Sequence, residues 1–355
     1  MKKMRRSIYV MVLAAALATV WTFTGCSDKG DLSSEASVPQ TAPVGPDTQG
    51  IDDRLEAKAI VRVGALKGPT GMGLVWLMEQ NEVGATLNIY DFDELAGEPQ
   101  EIVNKVAKGE LDVAALPTNV AANLYQKTGG GVSILAVNTL GNLYIVQRQG
   151  EDEDEVESLE DLAGTTLYAT GQGASPEYVL NYILAQNEVE DVTVEFRSEH
   201  TELAGLMAAG MAELALLPEP FASTAMARDE DIARKVDITA EWEKATGGVK
   251  LTTGCIVART AFLEENPAAV GKFLEEYAAS TSYVTDNLTE AAELVGKYDI
   301  AAAEVAEKAI PYCNIVCLTG EDMKNAVETY LRIIYGANPD SVGGALPDDS
   351  FYYVP

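Results

Sequence analysis

The chain has 355 residues, of which 25 are Lys or Arg and 55 are Asp or Glu, giving a formal net charge of −30. The negative electrostatic field of such an acidic protein repels phosphate polyanions, which excludes nucleic acid as a partner. About 300 residues follow the N-terminal segments described below, and that length exceeds one hydrophobic core and predicts two lobes. No metal and no cofactor are expected, because the single histidine, His200, has no cysteine pair at zinc-ligand spacing beside it.

The first 25 residues predict export. Four basic residues within the first six precede an apolar run at 8–23, which is too short for a stable transmembrane helix. Thr24-Gly25-Cys26 follows and resembles the lipobox of bacterial lipoproteins, which implies that Cys26 is acylated and becomes the mature N-terminus. Phe23 stands where that family usually has Leu, and an ordinary secretory signal is the alternative.

Residues 26–56 predict a flexible tether. The segment is rich in Ser, Asp, Gly, Thr, Gln and Pro and shows no apolar period. Such a composition buries too little apolar surface to offset the entropy lost on ordering. We expect this tether to let a lipid-anchored domain reorient above the membrane.

Apolar, β-branched segments alternate with helix-length segments through the rest of the chain. Predicted strands cover residues 59–66, 85–90, 112–117, 165–170, 192–196, 213–218 and 251–259. Predicted helices cover residues 74–80, 97–110, 176–187, 201–210, 268–285, 290–297, 302–308 and 321–335. The alternation indicates βαβ units in an α/β fold with a largely parallel sheet.

An internal repeat indicates two similar lobes. Residues 109–117 (GELDVAALP) match residues 210–218 (GMAELALLP), and the glycine loops GPTGMG and TGQGAS occur in the same order before them. We therefore expect two Rossmann-like lobes with a ligand cleft between them. Lobe one is predicted to be discontinuous, at 57–148 plus 250–355, and lobe two to cover 149–249. The predicted crossings lie at 146–156 and 243–251, an arrangement typical of proteins that close about a hinge.

Four loops that follow predicted strands form the candidate binding site, because ligands of open α/β sheets bind beyond the carboxyl ends of the strands. Their glycines allow close backbone approach, their hydroxyls lie near helix starts, and their aromatic side chains offer walls for a ring. The predicted ligand-binding residues are Lys67, Gly68, Thr70, Gly71, Met72, Trp76, Thr118, Asn119, Gly171, Gln172, Gly173, Ala174, Ser175, Tyr178, Glu219 and Phe221. No Gly-Lys-Ser/Thr follows either glycine loop, which excludes a nucleotide P-loop.

Catalytic residues are not recognised in the sequence. We find no Ser-His-Asp, HExxH or paired-carboxylate signature, and we interpret His200 as a surface residue at a helix start. The sequence therefore predicts a protein that is not an enzyme.

Three cysteines remain beyond Cys26, and their redox state is open. A disulfide between Cys255 and Cys313 would cross lobe one, whereas Cys313 and Cys317 form the competing pair. Three reduced thiols are the third alternative.

Several segments together resemble a known family. The lipobox-like start, GPTGMG, LPTNVAANLY, YATGQGASPEYVLNYIL, LLPEPF and ANPDSVGGALPDDSFYY resemble substrate-binding lipoproteins of ABC importers. The branch is the one related to sulfonate, taurine, nitrate and thiamine-pyrimidine binding proteins, and the resemblance covers residues 60–353. It implies a type II periplasmic-binding-protein fold, a small-molecule solute, a partner permease with its ATPase, and an extracytoplasmic, membrane-anchored location. We expect a monomer.

The ligand remains open at this stage. The aromatic residues and Glu219 favour a pyrimidine-like or other aromatic, nitrogen-bearing molecule over an aliphatic sulfonate, taurine or nitrate. A surface lipoprotein without a transport role is a further alternative. Some cytoplasmic enzymes, including menaquinone-pathway proteins and a pyrimidine synthase, share this fold, but such a protein is expected to lack an export signal.

Overall fold

A computed structural model describes residues 58–150 and 155–355, so the predicted signal peptide, the tether and Cys26 lie outside the described residues. The strands are β1 (Ile60–Leu66), β2 (Ile89–Ala96), β3 (Val113–Pro117), β4 (Val132–Leu140), β5 (Leu143–Arg148), β6 (Thr166–Thr170), β7 (Thr193–Arg197), β8 (Leu214–Pro218), β9 (Ile232–Asp237), β10 (Thr252–Arg259) and β11 (Ile315–Leu318). The helices are α1 (Pro69–Met72), α2 (Val75–Glu82), α3 (Pro99–Lys108), α4 (Thr118–Thr128), α5 (Ser175–Gln186), α6 (His200–Ala208), α7 (Phe221–Arg228), α8 (Ile238–Ala245), α9 (Thr260–Glu265), α10 (Pro267–Asp286), α11 (Leu288–Lys297), α12 (Ala303–Ala309) and α13 (Gly320–Ala337).

Two sheets form the centres of two lobes. Lobe one contains a six-stranded sheet in the order β11-β4-β10-β3-β1-β2, and lobe two a five-stranded sheet in the order β7-β6-β8-β5-β9. The prediction of largely parallel sheets is wrong, because β10 runs antiparallel to β3 and β4, and β5 runs antiparallel to β8 and β9. The chain enters each of these two strands directly from the other lobe. Each strand therefore begins at the sheet edge where the neighbouring strands end, and it runs in the opposite direction to them.

The internal repeat is visible in the structure. The order β2-β1-β3-β10-β4 in lobe one matches β7-β6-β8-β5-β9 in lobe two, strand for strand. The amide of Arg259, at the end of β10, donates to the Asp112 carbonyl at 2.9 Å, and the amide of Arg148, at the end of β5, donates to the Glu213 carbonyl at 2.8 Å. The prediction of an α/β fold with two similar lobes is confirmed.

The first crossing between the sheets is short. β4 ends at Leu140 and β5 begins at Leu143, so only Gly141 and Asn142 connect the two sheets here. The predicted start of lobe two at residue 149 is therefore too late, since β5 already belongs to the five-stranded sheet. The crossing predicted at 146–156 begins inside β5, a strand that already lies in lobe two. The second crossing leads from α8 to β10.

Helix α13 contacts both lobes. Its buried side chains Met323, Val327, Leu331 and Ile334 recur at the spacing of one helix face, and the helix packs against β4 and β10 of lobe one. The same helix contacts α5 of lobe two. Its apolar face therefore joins a core that includes residues of both sheets.

Candidate functional site

The lobe-one glycine loop begins with a charged residue that is already paired. Lys67 is exposed, and its Nζ lies 2.7 Å from Oδ2 of the exposed Asp299. Gly68 has a φ of 113°, a conformation that favours glycine, and it precedes α1. The Thr70 carbonyl accepts a hydrogen bond from Nδ2 of the buried Asn138 at 3.3 Å, which ties the loop to the end of β4.

The following residues of this loop pack against lobe one. A Cβ at Gly71 would lie 2.5 Å from the Leu66 carbonyl oxygen. Met72 is fully buried, with its Sδ 3.9 Å from Sγ of Cys313. The structure thus places Met72, predicted to bind ligand, in the packed interior of lobe one.

Two further predicted residues of lobe one are held by neighbouring elements. Trp76 stacks on Tyr283 of α10, with ring centroids 3.8 Å apart and planes at 11°. Asn119 donates from Nδ2 to the Ser341 carbonyl at 3.5 Å, and Thr118, which starts α4, is fully buried. The indole face that stacks on Tyr283 is not available to a ligand.

The lobe-two glycine loop comprises residues 171–175, between β6 and α5. Gln172 and Gly173 are exposed, and Ala174 closes the turn by donating its amide to the Gly171 carbonyl at 3.0 Å. The Ser175 Oγ accepts a hydrogen bond from the Tyr330 hydroxyl of α13 at 2.8 Å. The Tyr178 hydroxyl donates to the Gly173 carbonyl at 3.0 Å.

Three side chains meet at the carboxyl ends of the adjacent strands β7, β6 and β8. Thr170 ends β6, His200 starts α6 after β7, and Phe221 starts α7 after β8. The Thr170 hydroxyl is hydrogen-bonded to Nδ1 of His200, and the His200 and Phe221 rings lie 5.0 Å apart between centroids. We name Thr170, His200 and Phe221 the strand-end cluster.

His200 starts helix α6 as predicted, but its side chain is not exposed on the surface as the sequence suggested. The side chain is half-buried in the strand-end cluster, and this burial lowers its pKa below the ordinary value of 6.5, while the nearby Glu199 charge opposes the shift. The imidazole is therefore neutral at pH 7. Its position beside a hydroxyl at a strand end suits it to accept or donate a proton.

Glu219 is committed to an ion pair. Its side chain is fully buried and accepts a hydrogen bond from Nε of Arg234 at 2.8 Å and from the Ser223 amide at 3.2 Å. The guanidinium of Arg234 also donates to the Ser223 hydroxyl at 2.6 Å and lies 3.7 Å from the ring centroid of Tyr312. The predicted role of Glu219 as a free acceptor for a ligand does not fit this arrangement. Sequence reasoning missed Arg234, which lies on a strand that was not predicted.

Three threonine hydroxyls near the two crossings are buried without a partner among the described residues. They belong to Thr139 at the end of β4, Thr239 at the start of α8, and Thr252 at the start of β10. Thr252 pairs with Leu140 across the sheet, and a side chain at Gly141 would overlap Thr239. The three residues therefore surround the first crossing. A buried hydroxyl without a partner costs about 1–3 kcal/mol, so each can gain from a polar ligand atom.

Of the three alternatives left open for the cysteines, the structure has the reduced one, with neither candidate disulfide formed. Cys255, Cys313 and Cys317 are all free. Cys255 lies in the centre of β10, whereas Cys313 packs beside Met72 in a separate core cluster, so the two thiols do not face each other. Burial raises the pKa of Cys255 to about 12 and that of Cys317 to about 11, which keeps both thiols protonated.

A groove of about 840 Å³ lies at the opposite end of the five-stranded sheet, where Tyr168, Met211 and Glu213 line it. Within residues 58–150 and 155–355, no helix is long and apolar enough to cross a membrane, and no group of three His, Cys, Asp or Glu side chains could hold a metal ion.

The two sheets, the two crossings and the strand-end loops define a periplasmic-binding-protein fold, and solved structures agree. An ABC transporter from Parabacteroides distasonis is 24% identical, with a TM-score of 0.71, over 83% of this chain and 99% of that one. The periplasmic aliphatic sulphonate binding protein SsuA from Escherichia coli is 14% identical, with a TM-score of 0.66, over 83% and 92%. A conserved Candida albicans gene product, described as having the generic periplasmic binding protein structural fold, is 14% identical, with a TM-score of 0.52, over 82% of this chain and 93% of that one.

A family model identifies the chain more closely. A model described as menaquinone biosynthesis matches residues 69–335, which is more than half of the chain, so the chain belongs to the menaquinone biosynthesis family. A search of curated protein sequences finds no match. The resemblance to the periplasmic-binding branch is confirmed, since the family match and the solved structures cover the same region.

Family membership overturns one prediction. The expectation that the chain is not an enzyme is wrong, because its family is described by a biosynthetic process. That expectation depended on the absence of a recognisable catalytic motif and on the interpretation of His200 as a surface residue. A lone histidine assembled with residues from distant loops leaves no local sequence motif.

Proposed function

We propose that this protein binds a small organic molecule between its two lobes and presents it to an ABC importer on the outer side of the membrane. The strand-end cluster is the observation that carries the proposal. It brings a hydroxyl, an imidazole and an aromatic ring together at the carboxyl ends of three adjacent strands, where ligands of α/β sheets bind.

The charges at the candidate site favour an uncharged or weakly charged ligand. Lys67 is paired with Asp299, and Glu219 is paired with Arg234. A small anion such as a sulfonate gains most from an unpaired cation, whereas a ring gains from Phe221 and His200. These pairings support a pyrimidine-like or other aromatic, nitrogen-bearing molecule. An aliphatic sulfonate, taurine or nitrate is the alternative, and the name of the Escherichia coli protein supports the first of these three.

The transport role and the location are proposed from the N-terminus and from the names of the relatives. The basic start, the apolar run and Thr24-Gly25-Cys26 support export and attachment through a lipid on Cys26. The Parabacteroides distasonis relative is described as an ABC transporter. A permease with its ATPase is the corresponding partner of this chain.

A second candidate function is chemistry on the bound molecule. It is favoured by the family match together with the neutral imidazole of His200 beside the Thr170 hydroxyl. In that case His200 accepts or returns a proton, and Thr170 holds the imidazole by its Nδ1. Binding between the lobes is common to both candidates.

Native mass spectrometry of the tag-free mature protein, purified from its own host, tests the proposal. We expect one small molecule per chain, and we expect Phe221→Ala to weaken its binding by about 1–3 kcal/mol through lost ring burial. Phe92→Ala, the same change on the edge strand β2, is the control and should leave affinity unchanged. Equal affinities for the two variants would contradict the proposed site. Conversion of the molecule by wild type but not by His200→Gln would favour the second candidate.

A further inference from the structure

The lobe-two glycine loop, residues 171–175, is closed by an internal backbone hydrogen bond from the Ala174 amide to the Gly171 carbonyl, but its two glycines leave the rest of its conformation open. Gly171 has a φ of 79° and Gly173 a φ of 72°, both in the left-handed region that glycine enters freely. Two such residues within three positions leave the backbone many alternatives in isolation. The conformation seen here therefore depends on contacts from outside the loop.

The first such contact comes from a lobe-one helix. Tyr330 of α13 is fully buried, and its hydroxyl donates to the Ser175 Oγ at 2.8 Å. Its ring packs near Trp242, with centroids 6.0 Å apart. A buried hydroxyl keeps its partner because no water replaces it at low cost.

The direction of this hydrogen bond has a chemical consequence. Because Tyr330 donates its hydrogen, the Ser175 oxygen acts as the acceptor. The hydrogen of the Ser175 hydroxyl is then available to donate elsewhere. A ligand atom that meets Ser175 is accordingly an acceptor, such as a carbonyl oxygen or an unprotonated ring nitrogen.

A second chain of hydrogen bonds reaches the same loop. Asn338, directly after α13, donates from Nδ2 to the Tyr178 hydroxyl at 2.9 Å. Tyr178 in turn donates to the Gly173 carbonyl at 3.0 Å. The middle and the end of the loop are thus both held from the side of α13.

We propose that Tyr330 and Asn338 are positioning residues that hold the lobe-two glycine loop in its ligand-binding conformation and set Ser175 as a donor. The proposal rests on the proposed function for the role of the loop in binding. The anchoring itself does not, because it consists of hydrogen bonds within the protein and of the packing of α13 against β4 and β10 of lobe one. Lobe one therefore shapes the binding surface of lobe two.

Hydrogen exchange of the solute-free protein tests the anchoring. In Tyr330→Phe, which keeps the ring, we expect exchange at residues 171–175 to accelerate about three- to tenfold, the effect of one lost hydrogen bond on local opening. Strands β6 and β8 should keep their wild-type rates. Tyr335→Phe is the matched control on the same helix, because the Tyr335 hydroxyl has no hydrogen bond among the described residues. Unchanged loop exchange in Tyr330→Phe, or equal acceleration in Tyr335→Phe, would overturn the proposal.

A double-mutant cycle separates positioning from general loosening. Ser175→Ala should accelerate loop exchange as much as Tyr330→Phe, and the double variant should add nothing, since both changes remove one bond. Additive effects would contradict the assignment. Asn338→Asp keeps the acceptor that caps the following turn but loses the donor to Tyr178, so it should loosen the loop without unfolding that turn. These hydrogen-exchange measurements need no ligand. They therefore test the anchoring of the loop even if the proposed function is wrong.

Discussion

Arg234 and Glu219 form an ion pair that is almost fully withdrawn from solvent, with Arg234 Nε 2.8 Å from Glu219 Oε1. The pair joins β9 to the end of β8. The Arg234 guanidinium also stacks on Tyr312, which lies just after α12. The carboxylate that the sequence suggested as a ligand acceptor is thus a structural group. Its charge is balanced before any ligand arrives.

Breaking this pair should be costly. We expect Glu219→Gln to lower the free energy of unfolding by about 3–5 kcal/mol, because it leaves the buried Arg234 charge uncompensated. Urea denaturation measures the change. Lys67→Met, which breaks the exposed pair with Asp299, is the control and should leave the free energy of unfolding nearly unchanged, because solvent screens this pair. If Glu219→Gln and Lys67→Met both lowered the free energy of unfolding only slightly, Glu219 and Arg234 would be exposed to solvent, which would contradict this account.

His200 should make stability depend on pH in a defined window. Its pKa is lowered in the folded state, so between that value and 6.5 the unfolded chain binds more protons. The free energy of unfolding should therefore fall as the pH drops below 6.5 and level off below the folded-state pKa. Comparison of wild type with His200→Gln at pH 7.5 and 5.5 isolates this contribution, and nuclear magnetic resonance of the single histidine gives its pKa directly. A folded-state pKa above 6.5 would contradict the burial argument.

Thr252→Val tests the unpaired hydroxyls near the crossings. Without ligand, the change should leave stability unchanged or raise it by about 1 kcal/mol, since it removes a buried polar group that has no partner. Thr86→Val is the matched control, because the buried Thr86 hydroxyl donates to the Asn88 carbonyl at 2.6 Å, and its loss should be destabilising. Equal destabilisation in thermal unfolding would mean that Thr252 is already hydrogen-bonded in the ligand-free protein.

Cys26→Ser tests the proposed lipid anchor. The variant lacks the thiol that would be acylated, so we expect an uncleaved precursor or a protein released from the membrane. Membrane fractionation and intact mass measurement distinguish these outcomes from wild type. Normal processing and membrane association of the variant would contradict the lipoprotein hypothesis.

The sequence predicted the repeated βαβ units because their signals are local. Residues 113–117 and 214–218 are apolar strands that follow a glycine with positive φ, and the lobe-two glycine loop precedes α5, which has Pro near its first turn. The strand predicted at 85–90 is shifted to Ile89–Ala96. The Thr86 hydroxyl donates to the Asn88 carbonyl, and Nδ2 of Asn88 donates to the Tyr90 hydroxyl and to the Ala269 carbonyl of α10, so residues 86–88 form a bend instead of a strand.

The remaining site features could not be predicted because they depend on distant parts of the chain. Strand β9 reads IARKVD, with no clean apolar alternation, so neither the strand nor the role of Arg234 is visible locally. His200 becomes part of a cluster only when three loops meet at one sheet edge. Ser175 was chosen for its hydroxyl, but its hydrogen-bond partner, Tyr330, lies 155 residues away.

The central claim is that a small molecule binds between the lobes at the strand-end loops. Hydrogen exchange of the mature protein with and without the molecule that co-purifies with it tests this claim most directly. We predict slower exchange at residues 67–73, 170–175 and 199–202, which belong to both lobes. Protection confined to the groove around Tyr168 and Met211, at the opposite end of the five-stranded sheet, would contradict it.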